Sequence, residues 1–352
     1  MGRDQPSLGK QSSSRRITGF YEMRSKNLES ILRSVSRSFF ISIKLLPRKL
    51  REPVGIGYLL ARATDTLADT AEISAALREK ALSALIWAIE GTGSPEEIVK
   101  LVRSFTPLQN NQAERRLVAA LPECLEHFEG LNSADREDVR TVLGKITQGQ
   151  VLDLKRFGES DPPQALATAT DLHHYTYLVA GCVGEFWTQL CFRHIDNLSE
   201  FSPAEMLELG KKYGMGLQLI NILRDAGTDL QAGRCYFPEE ELNAIGLEPD
   251  KILREPDRFE PIHQKWHEEA EQGLRSGMQY AHAIRGRRIR AATALPALIG
   301  ARTLALLRNA GPMALQNRVK MPRREVRALI LSVAMRLADR EHLRELFLEA
   351  LA

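Results

Sequence analysis

Two pairs of aspartates stand four residues apart on segments whose apolar pattern marks helices: Asp65 with Asp69, and Asp225 with Asp229. That step puts both carboxylates of a pair on one helix face, with Cβ atoms about 6 Å apart, where like charges repel. A cation bound between them removes the repulsion. Asn221 lies one turn before Asp225 and Gln218 three residues before Asn221, so amide and carboxylate oxygens share one ridge. Such a ridge suits a hard cation such as Mg²⁺, with Mn²⁺ as an alternative. Arginines flank the acids. Arg62 precedes Asp65 by three residues, with Tyr58 one turn earlier, and Arg224 and Arg234 bracket the second pair. Acids and arginines together suit a ligand that brings both metal and anion, and a metal diphosphate fits best.

An aspartate pair on a helix is more often a solvated face, so the weight falls on the repetition of apolar helix, arginine and D-x-x-x-D. If the two helices face each other, four carboxylates converge, and a charge of about −4 cannot persist in a low-dielectric pocket without cations. Two or three Mg²⁺ ions bridging to a diphosphate balance it. Neutralised in this way, diphosphate leaves readily and an allylic carbon departs as a carbocation. The rest of the pocket must be apolar, dry and free of strong nucleophiles.

The elements that must position these groups are helical almost throughout. Leu217, Ile220 and Leu223 recur at three-residue steps within Gly214–Pro238, as one buried helical face requires. Helices are predicted over Asn27–Ser36, from about Arg48 (opened by Pro47) to Asp69, and over Ser74–Ile89. Ser94-Pro95-Glu96-Glu97 and Ser202-Pro203-Ala204-Glu205 both read as capping boxes with proline at the first helical position. Ser133 is the expected cap of a helix holding Val139, Leu143 and Ile146. No stretch alternates with period two for long enough to be a strand. Turn-rich breaks fall at Gly158–Gln164 and Leu247–Pro261 without a shift in composition. The expectation is one all-α domain over residues 18–352, behind a polar tail, 1–17, read as disordered.

The chain's 352 residues, 43% hydrophobic and 26% charged, describe an ordinary globular protein with a sizeable core. A net charge of +3 gives no nucleic-acid footprint. Cys124, Cys182, Cys191 and Cys235 show no C-x-x-C spacing and read as buried thiols in a reducing cytoplasm. No signal peptide is expected at the N-terminus. The most apolar run, Ala291–Leu307, is broken by Pro296 and Arg302 and reads as too short to span a bilayer. His263-x-x-x-His267 lacks the glutamate of a zinc-protease motif and reads as a solvated helix face. Trp87, Trp187 and Trp266 read as packing residues.

Four motifs, in this order, resemble those of the squalene and phytoene synthases: Ser36-Arg37-Ser38-Phe39, Tyr58-x-x-x-Arg62-x-x-Asp65-x-x-x-Asp69, Tyr175-Thr176-Tyr177-Leu178-Val179-Ala180-Gly181-Cys182-Val183-Gly184, and Asn221-x-x-Arg224-Asp225-x-x-x-Asp229-Leu230-x-x-Gly233-Arg234. The resemblance covers about residues 24–330. It implies a single-domain isoprenoid-synthase helical bundle around a central cavity. It also implies head-to-head condensation of two farnesyl diphosphates through presqualene diphosphate, then reduction to squalene by NADPH. By the same resemblance, Asp65, Asp69, Asn221, Asp225 and Asp229 bind metal, and Tyr175 sits near the cations and assists proton removal. Ser36, Arg37, Phe39, Tyr58, Arg62, Val179, Ala180, Val183, Gly184, Gln218, Asn221, Arg224 and Arg234 contact substrate.

Gly181 and Gly184 read as leaving room for a prenyl chain, with close helix packing as the other reading. Asp65-Thr66-Leu67-x-Asp69 and Leu295–Leu306 look more like squalene synthases, of the soluble bacterial type, than like dehydrosqualene, hydroxysqualene or phytoene synthases. Leu117–Leu131 resembles the segment that squalene synthases place near the reductant. Ala68 and Thr228 depart from the pattern, since acids are frequent at both positions. Arg318 and Lys320 are the candidates for contacting phosphate or the reductant, with a solvated basic loop as the other reading, and no G-x-G-x-x-G is present. Arg324–Ala352 reads as charged amphipathic helices, through which peripheral contact would pass a greasy product to a membrane. A non-catalytic prenyl-lipid binder of the same fold is the alternative class.

Overall fold

The structure, a computed structural model, describes residues 26–36, 39–158, 163–336 and 338–352. The expected disordered tail, Arg37 and the Phe39 side chain lie outside the described residues.

The chain is helical nearly throughout: α1 (26–36), α2 (Phe39–Leu45), α3 (Arg48–Ala68), α4 (Ala75–Glu90), α5 (Pro95–Phe105), α6 (Gln112–Ala119), α7 (Leu121–Glu129) and α8 (Ser133–Phe157) make one half. The other half holds α9 (Ala169–Thr176), α10 (Cys182–His194), α11 (Pro203–Gln231), α12 (Glu239–Ala244), α13 (Pro256–Ala283), α14 (Arg287–Ala310), α15 (Arg323–Met335) and α16 (Arg340–Leu351). Between α9 and α10 the helix widens into a π turn over Tyr177–Gly181. The core has two parts. One is built by α1–α8 with α10, and the other by α11, α13, α14 and α16 with the strand that follows α11. The acidic end of α3 belongs to the first part and that of α11 to the second.

The longest shared seam joins α11 to α13. Gly216 of α11 and Gly273 of α13 face each other there so closely that a Cβ on Gly216 would stand 2.7 Å from Gly273 Cα. Ser202 and Glu205 cap α11 reciprocally, as the sequence predicts. At α5 only half of the expected box forms: Ser94 accepts from the Glu97 amide, while its hydroxyl turns to Glu96 rather than drawing back Glu97. α8 is capped by Asn132, one residue before the expected Ser133, because the amide oxygen of Asn132 reaches the Asp135 N–H.

Further expectations are corrected. Among the described residues two short strands exist, β1 (Gln164–Leu166) and β2 (Arg234–Pro238), paired in parallel. They are too brief for a period-two signal, and β2 is mostly buried. Pro296 does not break α14, nor does Pro261 break α13, so both helices run on through regions read as interrupted. The α14 segment is therefore long and apolar enough to cross a membrane, yet 78% of its apolar window is buried inside the protein, as a core helix is. His263 and His267 are buried rather than solvated, at 5% and 4% exposure. Burial pushes the His263 imidazole down to about 4. His267 Nε2 bonds the Leu304 carbonyl. Trp266 packs as expected, but Trp87 is 49% exposed. All four cysteines are free and buried.

Candidate active site

The C-terminal end of α3 carries Asp65 and Asp69, and the C-terminal half of α11 carries Gln218, Asn221, Asp225 and Asp229. α8 packs on α3 and presents Gln150 to Asp65 and Asp153 to Tyr236. β2 follows α11 after a tight turn at Gly233, whose φ of 80° favours glycine, and so returns Arg234 and Tyr236 towards the acids. A cleft of about 260 Å³ is lined by Gln218, Asn221, Asp225, Asp229, Arg234, Tyr236 and Arg318, among others.

Cations and amides hold the carboxylates in place. Arg224 Nη2 lies 2.5 Å from Asp225 Oδ2 and Arg318 Nε donates to Asp225 Oδ1 at 3.0 Å. Arg234 Nη2 donates to Asp229 Oδ1 at 2.8 Å and is also within electrostatic reach of Asp69. On the α3 side, Gln150 Nε2 donates to Asp65 Oδ1 at 2.5 Å. Arg62 donates to Glu114 at 2.5 Å and lies 3.7 Å from Asp65. Asp69 in turn raises the proton affinity of Asp229 slightly, so the ends of the two ridges lie within electrostatic reach of each other.

Burial and the arginines pull the proton affinities of these acids in opposite directions. Burial pushes Asp65 up to about 6, against the pull of Arg62 and with help from Asp69. Water reaches 43% of its side chain, but protein surrounds it at depth. Burial likewise raises Asp69 and Asp229, with Arg234 opposing in both. At Asp225 burial is outweighed by Arg224 and Arg318, which hold the carboxyl below its ordinary value.

Among the described residues no three carboxylate, imidazole or thiol groups gather as ligands of one ion. The donors nonetheless fit a hard cation, since every one is a carboxylate or amide oxygen.

The remaining expected site residues divide. Tyr175 stands behind the cleft-lining Tyr236: its hydroxyl donates to Asp153 Oδ2 at 3.1 Å and its ring stacks on Tyr236 at 5.0 Å. Tyr58 Oη lies 3.4 Å from the Val35 carbonyl, and the buried Ser36 hydroxyl bonds the Leu32 carbonyl within α1. Arg318 reaches the cleft, whereas Lys320 is exposed and is not among the lining residues.

The room expected at Gly184 is not there. Its missing Cβ is replaced by the Gly210 carbonyl of α11, and in the same way Gly214 abuts the Ala180 carbonyl. Gly181 is similarly close to Met215, with 3.0 Å from a would-be Cβ to Met215 Cγ. Val179 packs on Gly149 of α8, and Val183 is 38% exposed. The small residues of this motif seat α10 against α11.

Sequence reasoning missed Gln150, Asp153, Tyr236 and Glu114. The signal available was modest: Gln150 and Asp153 are polar positions three apart in an otherwise apolar stretch of α8.

A family model described as squalene/phytoene synthase matches residues 32–325. A bifunctional lycopene cyclase/phytoene synthase of Phaeosphaeria nodorum is 28% identical over 242 residues, covering 68% of this chain and 38% of that protein. Squalene synthase ERG9 of Candida albicans is 28% identical over 224 residues, covering 60% of this chain and 44% of that protein. The chain thus spans less than half the length of these curated relatives. The solved structure of TcSQS with the ligand E5700 matches with a TM-score of 0.72 at 20% identity, over 93% of this chain and 97% of that one, which shows a common fold.

Proposed function

The chain belongs to the squalene/phytoene synthase family, and from that premise we propose that it condenses two farnesyl diphosphates head to head, through presqualene diphosphate, to squalene. One observation supports this: Arg234, which lines the cleft at the end of α11, donates to Asp229 and stands within electrostatic reach of Asp69 at the end of α3. Mg²⁺ held by Asp65, Asp69, Asn221, Asp225 and Asp229 supplies neutralisation of the leaving diphosphate. Arg224, Arg234 and Arg318 exchange their carboxylate partners for phosphate oxygens and keep the leaving group from recombining. Asp65 and Gln150 fix the α3 side of the cleft. Tyr175 faces the cationic carbons with a neutral phenol, since burial lifts its pKa well above the ordinary value.

The reductive half of the reaction, with NADPH, rests on the sequence resemblance. Arg318 is already engaged by Asp225, and Lys320 stands in solvent. A second reading, phytoene synthesis from geranylgeranyl diphosphate, is favoured by the phytoene synthase relatives. We place the enzyme in the cytoplasm with peripheral membrane contact through α15, which exposes Leu331 and Met335 at 58% and 70% beside exposed Arg327 and Arg336. Co-sedimentation with anionic liposomes checks that contact, and full recovery in the supernatant counts against it.

The deciding experiment incubates the protein with farnesyl or geranylgeranyl diphosphate and Mg²⁺, with and without NADPH, and weighs the products. A C30 hydrocarbon dependent on NADPH supports squalene synthesis, and a C40 product supports the second reading. Failure to release diphosphate from either substrate would leave a binding protein.

A further inference from the structure

Asp153 is a buried acid with no task in the scheme above. Its Oδ2 accepts two phenols at once, Tyr236 Oη at 2.6 Å and Tyr175 Oη at 3.1 Å. The two hydroxyls are 3.5 Å apart and the two rings stack at 5.0 Å with planes 23° apart. Phe157, one turn further along α8, closes edge-on against Tyr236 at 5.4 Å, so the pair cannot swing away. The nearest guanidinium, that of Arg234, gives its bonds to Asp229 instead. The charged and titratable groups facing Asp153 are thus Tyr175, Tyr236, Arg234 and Asp229.

This arrangement bears on a proton that the condensation must dispose of. Closing the cyclopropane ring of the first product breaks a C–H bond on the carbon one atom removed from the cationic carbon, and the proton needs an acceptor. Tyr175 alone is a poor final acceptor: its phenol stays neutral and would become an oxonium. A phenol that already donates to a carboxylate can take one proton while passing on another. We infer that Asp153, acting through Tyr175, is the terminal acceptor of the proton lost when the new carbon–carbon bonds form.

In that step the C–H electron pair becomes the ring bond and the proton joins Tyr175 Oη. The original hydroxyl proton of Tyr175 moves to Asp153 Oδ2, so the phenol ends as it began and the carboxylate ends as a carboxylic acid. Burial supports the role, raising Asp153 to about 7, against the pull of both hydroxyls, so that it is a stronger base than an ordinary carboxylate and still partly ionised near neutrality. Asp153 does not meet the substrate in this scheme. It is a positioning and relay residue, and the inference rests on the head-to-head reading.

The test uses the full chain with farnesyl diphosphate and Mg²⁺, reading diphosphate release and the carbon products separately. Asp153→Asn keeps the shape and still accepts from the phenols but cannot take a proton. It should leave KM and the first ionisation within about 3-fold, while the cyclopropyl product falls about 100-fold and prenyl alcohols take its place. Tyr175→Phe should lose the same product to a similar degree, and the double variant should fall no further, because both changes block one step. Folding of each variant is checked by its thermal transition; should Asp153→Asn not fold, Tyr175→Phe and its product partition still decide. Unchanged condensation in Asp153→Asn, or losses in the two variants that multiply, would overturn the relay. If the wild-type protein itself releases no diphosphate, the head-to-head reading fails and the relay with it; if wild type condenses and the variants do too, the relay alone fails.

Discussion

Gly216→Ala probes the packing that sets the position of α11 and hence of Asp225 and Asp229. A Cβ there would lie 2.7 Å from Gly273 Cα, 3.0 Å from its carbonyl carbon and 3.1 Å from the Ala270 oxygen. Nonbonded carbons rest at roughly 3.5–4.0 Å, so the two helices must part by about 1 Å along their longest seam. All three atoms met are main chain, and none can rotate out of the way. Overpacking costs about 1–3 kcal/mol, and a rigid neighbour puts this site at the upper end. Alanine returns about 1 kcal/mol of helix propensity, leaving a net loss of about 2 kcal/mol.

Gly144→Ala in α8 is the matched control. Nothing lies within 4 Å of its Cβ position, so only propensity acts and stability should rise by about 1 kcal/mol. Urea denaturation followed by helical circular dichroism measures both, and the two changes should have opposite signs. A displacement of about 1 Å in a catalytic constellation can cost about 100-fold in rate, so Gly216→Ala should also lower kcat/KM for diphosphate release. A Gly216→Ala protein as stable and active as wild type would refute the close approach of α11 to α13.

Further outcomes are expected in the cleft. Asp65→Asn and Asp225→Asn should each cut turnover about 100-fold or more, with the thermal transition little moved; retained activity in either contradicts their part in holding metal. Arg318→Gln should raise KM for prenyl diphosphate about 10-fold, as loss of a charged hydrogen bond does, and Lys320→Gln should raise it much less; equal effects would undo the distinction between the two. For pH, folded Asp153 holds its proton more tightly than the ordinary 3.8, up to about 7. Its stabilising share is therefore fully present below about pH 4 and is lost as pH rises through about 7. The stability of Asp153→Asn relative to wild type should accordingly grow between about pH 4 and pH 7, measured by urea denaturation, and a constant difference would show an unshifted carboxyl.

The aspartate ridges were legible because a helix repeats nearly every four residues, so local spacing alone aligns Asp65 with Asp69 and Asp225 with Asp229. Ser202 and Glu205 were legible for the same reason, their partners being three residues apart. What convergence in space supplies was not. Asp153 meets Tyr175 and Tyr236 from three separate elements, and no local pattern marks a residue for such a meeting. The burial of His263 and His267 was hidden too, because the neighbours that cover them lie on other elements, the Leu304 carbonyl of α14 among them. At Gly184 a glycine in a family-like motif suggested a gap for ligand, whereas the space is filled by the backbone of α11. A missing side chain reads alike in sequence whether a hydrocarbon tail or a neighbouring carbonyl takes its place.

The π turn at Tyr177–Gly181 adds one residue to the turn that separates Tyr175 from α10. α10 is locked in register against α11 by the Gly184–Gly210 approach, so the phase of the helix upstream is counted from there. Deleting a single residue from this turn would restore ordinary α geometry, and because the wide turn sweeps about the same angle with one residue more, the helix upstream would keep nearly its present phase. A deletion from the first turn of α10 would instead rotate everything upstream by about 100° and point the phenol away from its carboxylate. The wide turn should therefore tolerate loss of one residue better than the regular helix beside it.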